Sequence, residues 1–99
     1  MIVRLLREAK ADLQSIGDYI ARNNPARAES FLAELEAKVE SLATMAESFP
    51  FARLPNNPDA RRRVHGRYGI YYIVDLKAAR VDVFRIIHTS RDITRIFNA

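Results

Sequence analysis

Two amphipathic helices and the corner between them are predicted by Ala9–Leu35, whose sequence is AKADLQSIGDYIARNNPARAESFLAEL. Apolar residues recur every three or four positions on both sides of the corner, which is the spacing of one helical face. Asn24 is a good N-cap and Pro25 suits a first helical turn, while Asn23 can end the first helix in the left-handed conformation. The short corner predicts an antiparallel helical hairpin whose second helix runs to about Ser48. A coiled-coil partner is the other explanation for the regular spacing.

Short strands are predicted on both sides of this hairpin. Apolar or alternating runs separated by turn residues place them at Ile2–Leu6, Arg61–His65, Ile70–Leu76 and Val81–His88. The last three read as an antiparallel meander. The order predicts an α+β fold, in which an N-terminal strand and an antiparallel helical hairpin pack on a three- to four-stranded, mainly antiparallel sheet.

The composition limits the classes of protein to which the chain can belong. A chain of 99 residues, 48% of them apolar, fits a single globular domain over residues 1–99. The absence of cysteine excludes a disulfide framework, a thiolate zinc site and a cysteine nucleophile. No apolar run is long enough to span a bilayer and the N-terminus does not read as a signal peptide, so we expect a cytoplasmic protein without a membrane partner.

The positive charge is concentrated in the second half of the chain. Residues 1–49 hold six Lys and Arg against eight Asp and Glu, whereas residues 50–99 hold ten against four. Nine of those ten are arginines, which bind phosphate and carboxylate in a bidentate manner. A basic surface of this kind fits either nucleic acid or an acidic protein partner.

The order of elements resembles the RelE/ParE toxin superfamily over nearly the whole chain. The residues that carry the resemblance are Asp12, Leu13, Ile16, Tyr19, Asn24, Pro25, Phe31, Leu42, Pro50, the arginine strand Arg61–Val64, Tyr68, Tyr72, and the run from Phe84 to His88 followed by Arg91 and Asp92. The long hairpin with Asn-Pro at its corner is more similar to the ParE branch than to the RelE branch.

The resemblance implies a growth-arresting toxin encoded beside its antitoxin on a plasmid or chromosome. ParE-like toxins are associated with inhibition of DNA gyrase, which implies an inhibitor that binds rather than a catalyst. A ParD-like antitoxin with an acidic or amphipathic segment is the implied partner, in a hetero-oligomer. The alternative is a RelE-like interferase that cuts mRNA on the ribosome.

Basic residues of the second half are the candidates for contact with the target. They are Arg61, Arg62, Arg63, Arg85, His88, Arg91 and Arg95. In a ribonuclease, a base, an acid and cations around the phosphorane would have to come from Arg61, Arg63, His65, Arg85, His88 and Arg91. This set lacks the lysines or the glutamate base of RelE-type ribonucleases, because the only lysine after Lys38 is Lys77 and no glutamate follows Glu47. No cofactor motif and no metal-ligand spacing are present.

The second face of the sheet is the candidate surface for the antitoxin. Strict alternation along the last strand puts Val83 and Ile87 on one face and Phe84 and Ile86 on the other, whereas the hairpin covers only one face. The expected antitoxin-binding residues are therefore Val83, Phe84, Ile86, Ile87, Ile93, Ile96 and Phe97. The other interpretation is that the last three fold back and cover the face, either as a short helix or as a tail.

Overall fold

The computed structural model describes residues 1–97, apart from the side chain of Thr94. Its elements are β1 (Ile2–Leu5), α1 (Arg7–Ala21), α2 (Pro25–Glu40), α3 (Leu42–Met45), a 3₁₀ turn (Ala46–Ser48), β2 (Arg61–His65), β3 (Tyr68–Asp75), β4 (Arg80–His88) and α4 (Ile93–Phe97). No helix among the described residues combines the length and apolarity that a membrane crossing requires.

The predicted helical hairpin is present, with one correction at its corner. The side chain of Asn24 accepts a hydrogen bond from the N–H of Arg27 at 3.1 Å, and Pro25 is the first residue of α2, as expected. Asn23 is not left-handed, because α1 ends with ordinary turn bonds in which the N–H groups of Asn23 and Asn24 both donate to the carbonyl of Ile20.

The second helix is shorter than the spacing predicts. It stops at Glu40, and a separate turn of helix, α3, follows. The hydroxyl of Ser41 donates to the carbonyl of Lys38 at 2.8 Å, a local bond of the kind that competes with the helical ladder.

The sheet has four strands in the order β1-β4-β3-β2. β1 is parallel to β4, while the β2–β3 and β3–β4 pairs are antiparallel, so the sheet is mixed and the predicted α+β fold is confirmed. The turn between β2 and β3 is tighter than expected, because Tyr68 and Gly69 already belong to β3.

A β-bulge in β4 overturns the predicted alternation of its side chains. Tyr71 lies opposite Arg85 and Tyr72 lies opposite Val83, which leaves Phe84 without an opposite residue. Val83 and Ile86 therefore both enter the core under the helices, although they are three positions apart.

Apolar side chains form a cluster on each face of the sheet. The larger cluster joins α1, α2 and α3 to Ile70, Tyr72, Val81, Val83 and Ile86. The smaller one lies on the other face and joins Tyr71, Ile87 and Phe84 to residues from 52–60 and from α4. The chain itself covers this second face, since Leu54 and Ala60 of the loop are buried on it and α4 packs against it.

Candidate functional site

An open groove of about 870 Å³ lies where α1 and α2 meet the ends of β3 and β4. We call it the basic groove and define it by five of its aromatic and basic lining residues, which are Tyr19, Arg67, Tyr68, His88 and Arg91. Tyr19 comes from α1, Tyr68 begins β3, and His88 ends β4. The other two lie in the turns that follow β2 and β4.

The two turns are tied together by the backbone. The N–H of Thr89 donates to the carbonyl of Arg67 at 2.7 Å. Gly66 adopts a φ of 59°, in the left-handed region that favours glycine, and a side chain there would meet the Phe31 ring at 3.5 Å. The tight turn therefore holds Arg67 and Tyr68 at fixed positions beside the end of β4.

Ser90 fixes the ring of His88. The N–H of Ser90 donates to Nδ1 of His88 at 3.1 Å, and the Ser90 hydroxyl lies 2.7 Å from the same atom. Because Nδ1 accepts the Ser90 N–H, the neutral imidazole carries its proton on Nε2. His88 therefore presents a hydrogen-bond donor, and its accepting nitrogen is already used.

Tyr68 connects the ring of His88 to the helices. Its ring packs edge-on against His88 with centroids 5.1 Å apart and lies 5.6 Å from the Phe31 ring. Burial raises the pKa of the Tyr68 phenol, and the nearby phenol of Tyr19 adds to the rise. At neutral pH the phenol stays protonated, so Tyr68 can also donate.

The cations of the groove differ in how far they are already neutralised. Arg27 lies on the rim, but it bonds Glu34 at 2.6 Å and packs over the Phe31 ring. Arg67 and Arg91 are exposed, and within the described residues neither has an ion-pair partner. These two guanidinium groups supply the free positive charge of the site.

The carboxylate that lines the groove, Asp12, is fully engaged. It accepts two hydrogen bonds from Arg85, at 2.8 and 3.2 Å, and one from the N–H of Ile86 at 2.8 Å. The Asp12 carboxylate thus accepts a backbone N–H of β4 that lies beyond the end of β1. Arg85 neutralises the charge of Asp12. Among the described lining residues there is no free carboxylate to act as a base.

Two of the predicted arginines are used inside the protein. Arg61 donates to the carbonyl of Phe49 at 2.7 Å, and Arg63 donates to the carbonyl of Lys38 at 3.1 Å and to the hydroxyl of Ser41. Arg61 and Arg63 alternate along β2 and share the face under the helices. Their guanidinium groups satisfy carbonyls where the helical segments end.

The other predicted site residues are dispersed. His65 bonds Glu34 at 3.0 Å and stacks on Phe31, while Arg85 holds Asp12. Arg62 lies opposite Tyr71, whose ring belongs to the cluster on the second sheet face, and Arg95 is exposed on α4. Only His88 and Arg91 of the predicted set come together in the basic groove.

Three residues of the groove were not among the predicted site residues. Tyr19 and Tyr68 are among the residues that carry the family resemblance, and Arg67 follows the turn glycine Gly66. The spacing of residues in the sequence does not indicate that α1 lies beside the turns after β2 and β4. The sequence carried one signal, a large aromatic residue at position 19 outside the apolar stripe of α1, and the structure leaves Tyr19 66% exposed.

The predicted antitoxin-binding residues divide between the two faces. Val83 and Ile86 are buried under the helices, at 0% and 2% exposure. Phe84 and Ile87 lie on the second face, where Ile93, Ile96 and Phe97 cover them from α4. The C-terminal segment is therefore a helix that folds back, which is the second of the two interpretations given above.

No group of three or more metal-ligating side chains occurs among the described residues. The sites that these residues form consist of arginine, histidine and aromatic groups, which suit anions and aromatic or acidic partners better than cations.

The fold is that of chains from known toxin–antitoxin systems. A chromosomal ParDE system from P. aeruginosa matches with a TM-score of 0.75 at 20% identity, covering 91% of this chain and 97% of that chain. The toxin–antitoxin complex RelBE2 from Mycobacterium tuberculosis matches with a TM-score of 0.68 at 19% identity, covering 88% and 95%. No curated protein sequence matches the chain.

Residues 3–93 match the family described as the ParE toxin of the type II toxin–antitoxin system parDE. Because the match spans nearly all of the chain, the chain belongs to this family. The resemblance to the ParE branch is thereby confirmed.

Proposed function

We propose that this chain is the toxin of a type II module, that a cognate antitoxin neutralises it in a hetero-oligomer, and that it arrests growth by binding DNA gyrase through the basic groove. Membership of the ParE family supports the module, and the association of ParE-like toxins with gyrase supports the target. The groove supports the mode of action, because it offers free cations and hydrogen-bond donors rather than a catalytic base.

The state of His88 is the observation that carries this choice. The N–H of Ser90 donates to its Nδ1, so in the neutral ring the proton lies on Nε2, which then cannot accept one from a 2′-hydroxyl. The nearby carboxylate of Asp12 is bound by Arg85. A groove built this way binds an anionic surface by its charge and its donors.

Supercoiling by purified gyrase tests the proposal. The wild-type chain should inhibit it, and the double variant Arg67→Ala/Arg91→Ala should need about tenfold more protein for the same inhibition, since two free cations are lost from the contact. Arg7→Ala is the matched control, because Arg7 has a side chain that is 93% exposed and lies outside the groove. Uninhibited supercoiling at an excess of the wild-type chain would exclude gyrase as the target.

A ribosome-dependent mRNA interferase is the second candidate, and one observation favours it. The groove brings His88, Tyr68 and Arg91 to one cavity, and these residue types can position and protonate a phosphate. Cleavage of ribosome-bound mRNA that His88→Ala abolishes would establish this activity. Intact mRNA at an excess of the chain would exclude it.

A further inference from the structure

Tyr19 gives the basic groove an aromatic ring that the fold does not use. The residue is 66% exposed, and within the described residues its ring packs against no other ring. The other rings of the groove are occupied, since the guanidinium of Arg27 lies over Phe31 and Tyr68 packs edge-on against His88. Tyr19 therefore offers a flat face on which another planar group can stack.

Arg22 extends the positive charge of the groove along α1. It follows Tyr19 by three positions and has helical backbone angles, so the two residues lie on the same side of the helix. Like Arg67 and Arg91, Arg22 is exposed and has no ion-pair partner among the described residues. The exposed ring is thus accompanied by three unpaired guanidinium groups, two in the groove and one on the same side of α1 as the ring.

His88 adds two hydrogen-bond donors to these cations. In its neutral ring the proton lies on Nε2, because the N–H of Ser90 donates to Nδ1. Its backbone N–H lies on the same side of β4 as that of Ile86, which donates to Asp12, whereas the N–H of Thr89 points the other way. Both Ile86 and His88 line the groove, so this backbone donor lies on the groove side of the strand. Donors and guanidinium groups together are what an anionic oxygen requires.

We propose that the basic groove binds single-stranded DNA, with one base stacked on Tyr19 and the adjacent phosphate held by Arg67, Arg91 and His88. This inference rests on the proposed function and deepens it, since it makes the DNA held by gyrase part of the contact. An exposed aromatic ring beside a basic surface binds single strands without regard to sequence. The groove volume of about 870 Å³ also lies in the range of about 300–1,000 Å³ that is typical of small-ligand sites, so one nucleotide fits.

The free ring favours a nucleotide over an acidic protein segment. A carboxylate would bind the same arginines but would leave Tyr19 exposed, whereas every base has a face that stacks on an aromatic side chain. In a duplex those faces are covered by the neighbouring bases, which is why the proposal specifies a single strand. Asp12 does not repel the phosphate, because Arg85 neutralises its charge.

Binding of a fluorescently labelled oligothymidylate of about 12 nucleotides to the chain alone tests the stacking contact. Tyr19→Ala should weaken binding about tenfold, since one base loses its stacking partner. Tyr19→Phe keeps the ring and should restore most of the affinity. Equal affinities of the wild-type chain and Tyr19→Ala would overturn the inference, because the contact would then be one of charge alone.

The dependence of this binding on salt tests the arginines. Each phosphate that is neutralised on a single strand contributes about −0.7 to the slope of log K against log salt, so three arginines predict a slope of about −2. Arg22→Ala should reduce the magnitude of the slope by about 0.7. Arg7→Ala is the matched control, because Arg7 is an exposed arginine at the other end of α1 and should leave the slope unchanged.

Proton NMR of the unmodified chain gives a test that does not depend on how the variants fold. Addition of the unlabelled oligothymidylate should shift the ring resonances of Tyr19 and the imidazole resonances of His88. The resonances of Tyr71 are the internal control, because its ring is 1% exposed and belongs to the cluster on the other face of the sheet. A bound oligonucleotide that leaves the Tyr19 resonances in place would contradict the proposed site.

Competition identifies the ligand. Displacement of the oligothymidylate by polyglutamate at equal charge would assign the groove to an acidic protein segment, and equally effective displacement by thymidine monophosphate would assign it to a free nucleotide. Either result would overturn the inference. A chain that inhibits gyrase but binds no oligonucleotide would also overturn it and leave the proposed function standing. A chain that binds the oligonucleotide through Tyr19 but does not inhibit gyrase would support the inference and exclude gyrase as the target.

Discussion

Three of the six arginines predicted as contacts for a target have structural roles in this fold. Arg61 and Arg63 donate to carbonyls at the ends of helical segments, and Arg85 is paired with Asp12. In the basic groove, the cations without an ion-pair partner among the described residues are Arg67 and Arg91, on turns that the fold brings together. The sequence does not distinguish an arginine that lies under a helix from one that lies at a turn. Only the tertiary structure decides which of the two guanidinium groups hydrogen-bonds to a carbonyl.

Asp12 should be one of the most costly polar side chains to remove. Asp12→Ala leaves the guanidinium of Arg85 and the N–H of Ile86 without their shared acceptor, in a site where the Asp12 side chain is only 16% exposed. We expect a loss of about 2–3 kcal/mol in the free energy of unfolding, measured by urea denaturation. Asp18→Ala, on the exposed side of the same helix, should change it by less than about 0.5 kcal/mol. Equal effects of the two substitutions would contradict this role.

Glu34 should make the stability of the protein depend on acid pH. The hydrogen bond from Arg27, with a smaller one from His65, holds the pKa of Glu34 below its usual value. A carboxyl group with a lowered pKa in the folded state stabilises the fold above its unfolded pKa of about 4.3, and this contribution is lost as the pH falls through the folded value.

Glu34→Gln should therefore lower stability near neutral pH and reduce the loss of stability on acidification. Urea denaturation at about pH 6 and about pH 3 measures both effects. Glu36→Gln on the same helix removes a similar charge from an exposed position and serves as the control. A wild-type chain and a Glu34→Gln variant with parallel pH profiles would show that the ion pair adds nothing to the fold.

At the scale of elements, the helical hairpin and the meander follow from the sequence, whereas the side-chain directions in β4 do not. The spacing of apolar residues in α1 and α2 predicts two helices, each of which must bury its apolar stripe. Strict alternation fails in β4, since the bulge at Phe84 brings Val83 and Ile86 to one face. A bulge adds a residue without a composition signal, so it could not be predicted here.

The packing of the C-terminal helix α4 against the sheet should stabilise the fold. The ring of Phe97 packs 5.2 Å from Tyr71 and 5.8 Å from Phe84, between centroids. Phe97→Ala should lower the free energy of unfolding by about 2–3 kcal/mol, because it removes an aromatic ring that is partly buried in the second cluster. Leu76→Ala, at a side chain that is 68% exposed, is the control. No change in the Phe97 variant would mean that α4 does not hold the second face.

At the scale of the whole molecule, the chain is a small α+β protein with a covered core and two distinct exposed features. The basic groove lies at one end of β4, and β1 pairs with the other end of the same strand and leaves its own outer edge open. Family and fold could be predicted from the order of elements, but the groove could not, because its residues come from α1 and from two turns far apart in sequence.

Plasmid topology in growing cells tests the central claim most directly. The chain is expressed alone and together with the protein of the neighbouring open reading frame, and plasmid supercoiling and translation are followed after induction. We predict that expression of the chain alone relaxes the plasmid before growth and translation stop. Co-expression with the neighbouring protein should prevent the relaxation of the plasmid and the arrest of growth. Growth arrest with cleaved mRNA and unchanged supercoiling would contradict the account.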